Sequence, residues 1–198
     1  MTSPEQTPAD VFAEAPEVHE RNLRIGVRVI AGSTILFFFA FAFAYFYLRS
    51  VNSHGRWNAA QVAAPDGYGI AIVALFVLGA AALTAALSAA RRGRPWLARA
   101  GVALACVVIA IVVQAFEYAH VDFAPDGGGY TSVFYGWTLF LVVFALGAIY
   151  FMTVLIAERA RKRTADAELA PPGLEDAAFY LRLLAAIAAV AWLFLYLL

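Results

Sequence analysis

Three histidines, one cysteine and a handful of acids and hydroxyls are the residues of this chain with chemistry to offer. One cysteine excludes a disulfide framework and a cysteine-clamped zinc or iron–sulfur site. Cys106 stands in apolar company, where a thiol stays protonated and behaves as a small hydrophobe. His54, His120, Glu117 and Asp122 could meet and hold a metal, but no tight ligand spacing joins them, so no metal or catalytic residue is assigned. Ser33, Thr34, Thr84, Gln114, Thr138 and Thr153 are uncharged polar groups inside the apolar runs, scattered rather than aligned as a pore wall. A proton pump or ion-coupled transporter needs a chain of ionisable groups near the membrane midplane, and the centres of these runs carry none. Glu117 is the single acid at the edge of a run. A carboxylate at a helix end can accept hydrogen bonds from the amides of the loop that follows. Glu117 and Tyr118, with Asp126 and Tyr130 beyond the glycine-rich turn, therefore read as residues that pin that loop.

The elements that carry these residues follow from composition. The chain has 198 residues, 63% hydrophobic and 14% charged, with mean hydropathy +0.75, which excludes an ordinary water-soluble domain. Fourteen basic against fourteen acidic residues leave no net charge and no basic surface for nucleic acid. A hydrocarbon core of about 30 Å takes roughly 20 apolar residues in a helix. Five runs reach that length, at about 25–48, 69–90, 98–118, 134–157 and 179–198. None alternates with period two, so the expected fold is an all-α integral membrane bundle of five transmembrane helices. Arg21 and Arg24 precede the first run; Arg91, Arg92, Arg94 and Arg99 fill the second loop; Arg159, Arg161, Lys162 and Arg163 begin the fourth. The positive-inside rule then places the N-terminus in the cytoplasm and the C-terminus outside.

Residues 1–24 begin with acids and prolines and read as a mobile cytoplasmic tail, leaving 25–198 as the membrane domain. Residues 164–173, with Pro171-Pro172-Gly173, read as a loop. Arg28, Arg49 and Arg182 lie near membrane boundaries, where long side chains snorkel and could meet lipid headgroups. Ala81, Ala85 and Ala89 recur at the four-residue spacing that lets helices approach closely, as do Ala82, Ala86 and Ala90, and Ala185 with Ala189. Phe37, Phe38, Phe41 and their neighbours form an aromatic collar on the first helix; with Ala81, Ala85 and Trp192 they are the candidates for helix or subunit packing.

Gln114-Ala115-Phe116-Glu117-Tyr118, followed by Asp126-Gly127-Gly128-Gly129-Tyr130-Thr131-Ser132, resembles subunit III of haem–copper cytochrome c oxidases, with its Q-A-x-E-Y segment and D-G-x-Y-G-S loop. Trp192-Leu193-Phe194-Leu195-Tyr196 is similar to that family's W-L-F-L-Y ending, and Ser33 to Phe38 resembles its S-E-x-M-F-F helix. The chain departs from the family pattern at Thr34, where the family has a glutamate. Two further departures are the segment from Thr138 to Phe144, which lacks the family's two histidines, and Ala185 to Ala189, which replace W-H-F-V-D. The resemblance implies the short, five-helix bacterial form of a metal-free, non-catalytic scaffold. Such a subunit packs against the catalytic subunit I, accompanies subunit II and further small subunits, and binds phospholipid in a bacterial plasma (inner) membrane. Haem and copper would belong to the partner subunits, with no cofactor in this chain. An accessory subunit of a nitric oxide reductase is the alternative within the superfamily; a small transporter or channel is the alternative outside it.

Overall fold

Apolar runs this long have no water to satisfy their backbone groups within a bilayer, and helices satisfy them internally. A computed structural model of the chain describes residues 16–58, 62–161, 171 and 173–198. Its helices are α1 (Pro16–Val51), α2 (Asp66–Ala90), α3 (Leu97–His120), α4 (Gly129–Arg161) and α5 (Leu174–Trp192), the last running on into a π-helical turn, Leu193–Leu197. All five are long and apolar enough to cross a membrane, and the described residues contain no strand. The protein is a multi-pass membrane protein, with five spanning helices among the described residues.

The helices outrun the apolar segments. α1 begins at Pro16 instead of near residue 25, and α4 continues to Arg161 instead of stopping near 157. Hydropathy marks where the membrane ends, whereas a helix continues into water wherever good formers such as Glu and Arg follow. The 36 residues of α1 span about 54 Å, well beyond the hydrocarbon thickness. Residues 1–15 and most of the expected loop at 164–173 lie outside the described residues.

α2, α3, α4 and α5 close a ring in which each packs against its sequence neighbour and α5 returns to α2. α1 lies outside that ring, along α4 and α5. The interior is lined by Leu83, Ala86, Val107, Phe134, Trp137 and Leu184, each nearly or wholly inaccessible. Ala86 and Ala90 face inward, whereas Ala81 and Ala85 are exposed on the outer side of α2. The expectation that Ala81 and Ala85 serve helix packing within the chain is thus corrected. The two alanine stripes sit on adjoining faces, about 100° apart per residue, and composition alone does not choose between them.

The collar of α1 divides in the same way. Phe38 is buried, 5.9 Å from the Trp137 ring, while Phe37 and Phe41 are half-buried against Phe140 at 4.7 and 5.9 Å. Phe39 and Phe43 point outward. α1 comes so close to α4 that a Cβ on Gly136 would stand 2.6 Å from Phe41.

Candidate functional site

One end of the bundle gathers the end of α3, the start of α4, the end of α5 and the loop between α1 and α2. Gln114 and Glu117 stand three residues apart, hence on one face of α3, and that face points inward. Glu117 is 0% exposed. A buried acid is costly unless hydrogen-bonded, and both oxygens of this one are engaged. Gln114 Nε2 donates to Oε2 at 2.6 Å, and the Tyr196 hydroxyl donates to Oε1 at 2.5 Å. The donors are therefore side chains of α3 and of the C-terminal turn, where loop amides were expected. The carboxylate lies in the bundle interior and not at the water interface.

Tyr118 turns to the neighbouring helix. Its hydroxyl lies 2.7 Å from Thr138 Oγ1, and Thr138 donates its own proton to the Phe134 carbonyl at 2.7 Å, so Tyr118 is the donor of the pair. Tyr130, in the first turn of α4, donates to the Leu195 carbonyl at 2.7 Å and accepts from the Ala64 amide at 3.2 Å. These bonds tie the π-helical turn and the α1–α2 loop to one phenol. Tyr196 also presses on α2, where a Cβ on Gly69 would fall 2.8 Å from both the Tyr196 and the Trp192 rings.

The glycine-rich turn before α4 exists because another chain segment crosses it. The first amides of a helix lack internal partners. Here Gly129 N–H donates to the Arg56 carbonyl at 3.1 Å and Tyr130 N–H to the Trp57 carbonyl at 2.8 Å. A Cβ on Gly128 would come 2.7 Å from the Arg56 oxygen, and Gly128 has φ +145°, a conformation L side chains rarely adopt. Ser132 Oγ donates to the Pro125 carbonyl at 2.8 Å, closing the turn from the other side. Asp126 is exposed, and none of these bonds reaches its carboxylate. Carbonyls of Arg56, Trp57 and Pro125 fill the pinning role the sequence suggested for Asp126.

Over residues 10–198 the chain matches the family model for Cytochrome c oxidase subunit III. The chain belongs to the cytochrome c oxidase subunit III family. It is also 31% identical over 189 residues to the cytochrome c oxidase subunit 3 of Pylaiella littoralis, an alignment covering 90% of this chain and 66% of that relative. It thus spans just under two-thirds of the relative's length.

Three of the segments that carry the resemblance to subunit III, 114–118, 126–132 and 192–196, converge on this one end of the bundle, while the fourth, 33–38, lies within α1 away from it. Sequence reasoning singled out Glu117, Tyr118 and Tyr130 there. It missed Gly69 and Trp57, met Tyr196 only as part of a motif, and met Gln114 and Thr138 only as members of motifs or as scattered polar groups. Gln114 could have been found, since a donor three residues before a buried acid shares its face; the others are brought in by tertiary packing alone.

The remaining candidates lie apart. Arg28 is exposed with its guanidinium 4.1 Å over the Phe179 ring, Arg182 is exposed and donates to the Ala178 carbonyl at 3.2 Å, and Arg49 at the other end of α1 donates to the Tyr45 hydroxyl at 2.9 Å. Trp192 is half-buried against Gly69. His120 Nδ1 bonds to the Phe116 carbonyl at 2.7 Å, while Glu117 points into the bundle, so the two do not share a site. Among the described residues no three of His, Cys, Asp and Glu come together as a metal-binding group. The arrangement suits positioning: it fixes four helix ends relative to one another around a sealed carboxylate.

Proposed function

We propose that this chain acts as subunit III of a terminal haem–copper oxidase, a non-catalytic scaffold that stabilises the catalytic subunit I during aerobic electron transport. The family match over nearly the whole chain carries this reading. Support comes from the structure's use of the family-like segments for packing and hydrogen bonding around Glu117. Haem and copper belong to subunits I and II, further small subunits can complete the complex, and electrons do not pass through this chain's helices. The complex lies in a bacterial plasma membrane, with the arginine-rich α2–α3 turn in the cytoplasm and the Glu117 end outside. Loop-pinning belongs to Tyr130, which holds the α1–α2 loop, while Glu117 and Tyr118 hold α3 to the C-terminal turn and to α4. An apolar groove of about 560 Å³ between α1 and α5, lined by Phe39, Phe43, Trp137 and Val190, receives phospholipid acyl chains. Arg28 and Arg182 at one end and Arg49 at the other meet headgroups, and the outward Ala81 and Ala85 stripe is available to a partner subunit.

The decisive experiment removes the chain from the purified oxidase. The stripped complex should keep its haem spectrum and begin at a substantial fraction of normal oxygen consumption, then inactivate faster over successive turnovers. Immediate loss of activity with bleached haem would assign the chain a part in holding a cofactor. Unchanged activity and lifetime would remove it from the oxidase's working parts.

A further inference from the structure

Tyr196 and Glu117 are arranged for chemistry that positioning does not require. A phenol gives up an electron easily only if its proton can leave with it, because a cationic tyrosine buried in an apolar bundle has no solvation. The proton therefore needs a basic neighbour within hydrogen-bond reach. Tyr118 donates to a threonine hydroxyl whose own proton is committed, Tyr130 to the Leu195 carbonyl and Tyr135 to the Phe123 carbonyl at 2.9 Å. Hydroxyls and amide carbonyls are poor proton acceptors. Tyr196 instead faces a carboxylate oxygen at 2.5 Å, while Gln114 donates to the second oxygen.

The tryptophans sharpen the contrast. The indole N–H groups of Trp96, Trp137 and Trp192 are buried and without a hydrogen-bond partner. An oxidised indole there cannot release its proton and persists as a cation in apolar surroundings. Trp192 shares the Gly69 surface with Tyr196, and Phe134 bridges Tyr196 to Tyr130 with ring centroids 6.1 and 6.3 Å apart. A positive hole entering this aromatic cluster thus has one residue at which its charge can be neutralised.

We propose that Tyr196 is a one-electron oxidation sink, with Glu117 as its proton acceptor. In the step, the Tyr196 O–H bond breaks, the proton passes to Glu117 Oε1, and the electron passes to an oxygen-derived radical or to an oxidised tryptophan. The products are a neutral phenoxyl radical, a carboxylic acid and the reduced oxidant. A thiol- or ascorbate-class reductant restores the phenol as the proton returns from Glu117. The cellular source of such oxidants, oxygen chemistry in a neighbouring subunit, rests on the oxidase reading; the pair itself can be tested without it.

The test is photo-oxidation of the full-length chain in lipid nanodiscs, with flash-excited ruthenium tris-bipyridine and persulfate, read by electron paramagnetic resonance after freezing. A neutral tyrosyl spectrum is expected, narrowed by ring-deuterated tyrosine. Tyr196→Phe should abolish it and leave a tryptophan radical cation, and Glu117→Gln should abolish it too, whereas Tyr150→Phe should keep it. Two measurements on the unaltered chain hold whether or not the variants fold. Radical formation should slow in D2O, and electron–nuclear double resonance should show an exchangeable proton hydrogen-bonded to the phenoxyl oxygen. A full tyrosyl signal in folded Tyr196→Phe, or an unaltered chain lacking either the isotope effect or the exchangeable proton, overturns the proposal.

Discussion

Replacing Tyr196 with phenylalanine isolates the bond on which this end of the bundle turns. The ring stays, so packing on Gly69 and the 6.1 Å contact with Phe134 are kept, and the volume term is close to zero. What goes is the 2.5 Å hydrogen bond to a carboxylate that is 0% exposed. Hydrogen bonds to charged groups contribute about 1.5–3 kcal/mol net. Glu117 retains its Gln114 donor at 2.6 Å, which places the expected loss near the middle of that range, about 2 kcal/mol. For a chain of this size each kcal/mol moves Tm by roughly 2–4 °C, so the variant should melt about 4–8 °C lower. The single cysteine supplies the assay: Cys106 is free and half-buried within α3, so a thiol-reactive fluorophore reports unfolding in detergent. Glu117→Ala should cost more than Tyr196→Phe, because it strands two buried donors. In the Glu117→Ala background Tyr196→Phe should cost almost nothing, since contacting residues are not additive. An equal cost in both backgrounds would refute the reasoning, as would a Tm shift under about 1 °C in the single variant.

Gly128→Ala must place a Cβ at φ +145° and 2.7 Å from the Arg56 oxygen, so it should cost about 1–3 kcal/mol and make the α1–α2 loop a preferred site of limited proteolysis. Two glycines of α4 should respond in opposite directions in the same melting assay. Gly136→Ala meets Phe41 at 2.6 Å and should destabilise, while Gly147→Ala meets nothing within 4 Å and should stabilise by about 0.5–1 kcal/mol. With Cys106 replaced by alanine, a cysteine at exposed Asp126 should react with an impermeant thiol reagent in intact spheroplasts and one at exposed Arg92 should not; the reverse labelling would invert the topology.

The five spans were legible because a hydrocarbon slab sets both the length and the composition of whatever crosses it. Helix ends were not, because Glu17, Glu20, Arg21 and Arg24 at one end and Glu158, Arg159 and Arg161 at the other are helix formers that continue beyond the slab. Glu117 was conspicuous as the single acid at the edge of an apolar run, yet its partner Tyr196 lies 79 positions later with no periodicity to connect them. The glycines at 127–129 signalled a turn, but the Arg56–Trp57 segment that requires Gly128 is a tertiary neighbour. Asp126 looked functional by its place in that motif; the backbone carbonyls around it left it nothing to bind. Ala81 and Ala86 are chemically the same residue on two faces of α2, and only the positions of α3 and α5, the helices packed on α2, decide which is core.

These observations bear on what a buried acid does for an otherwise apolar bundle. Alanine, leucine and valine pack nearly as well after a slip of one helical turn, about 5.4 Å, so packing alone specifies register weakly. Such a slip of α5 would break the bonds of Tyr196 to Glu117 and of Tyr130 to Leu195 together. Buried polar groups can be replaced by apolar ones of similar size at no cost in stability, and their best-attested use is to fix register. The triple variant Gln114→Leu, Glu117→Leu, Tyr196→Phe should therefore melt at or above the parent temperature while losing uniqueness of packing. Spin labels at the exposed positions Asp126 and Leu198 report this through their distance distribution: one narrow peak in the parent, a broadened or doubled one in the triple variant. A narrow parent-like peak in a stable triple variant would show that packing alone holds α5 in register, and would leave Glu117 with its hydrogen bonds but no structural reason for its burial.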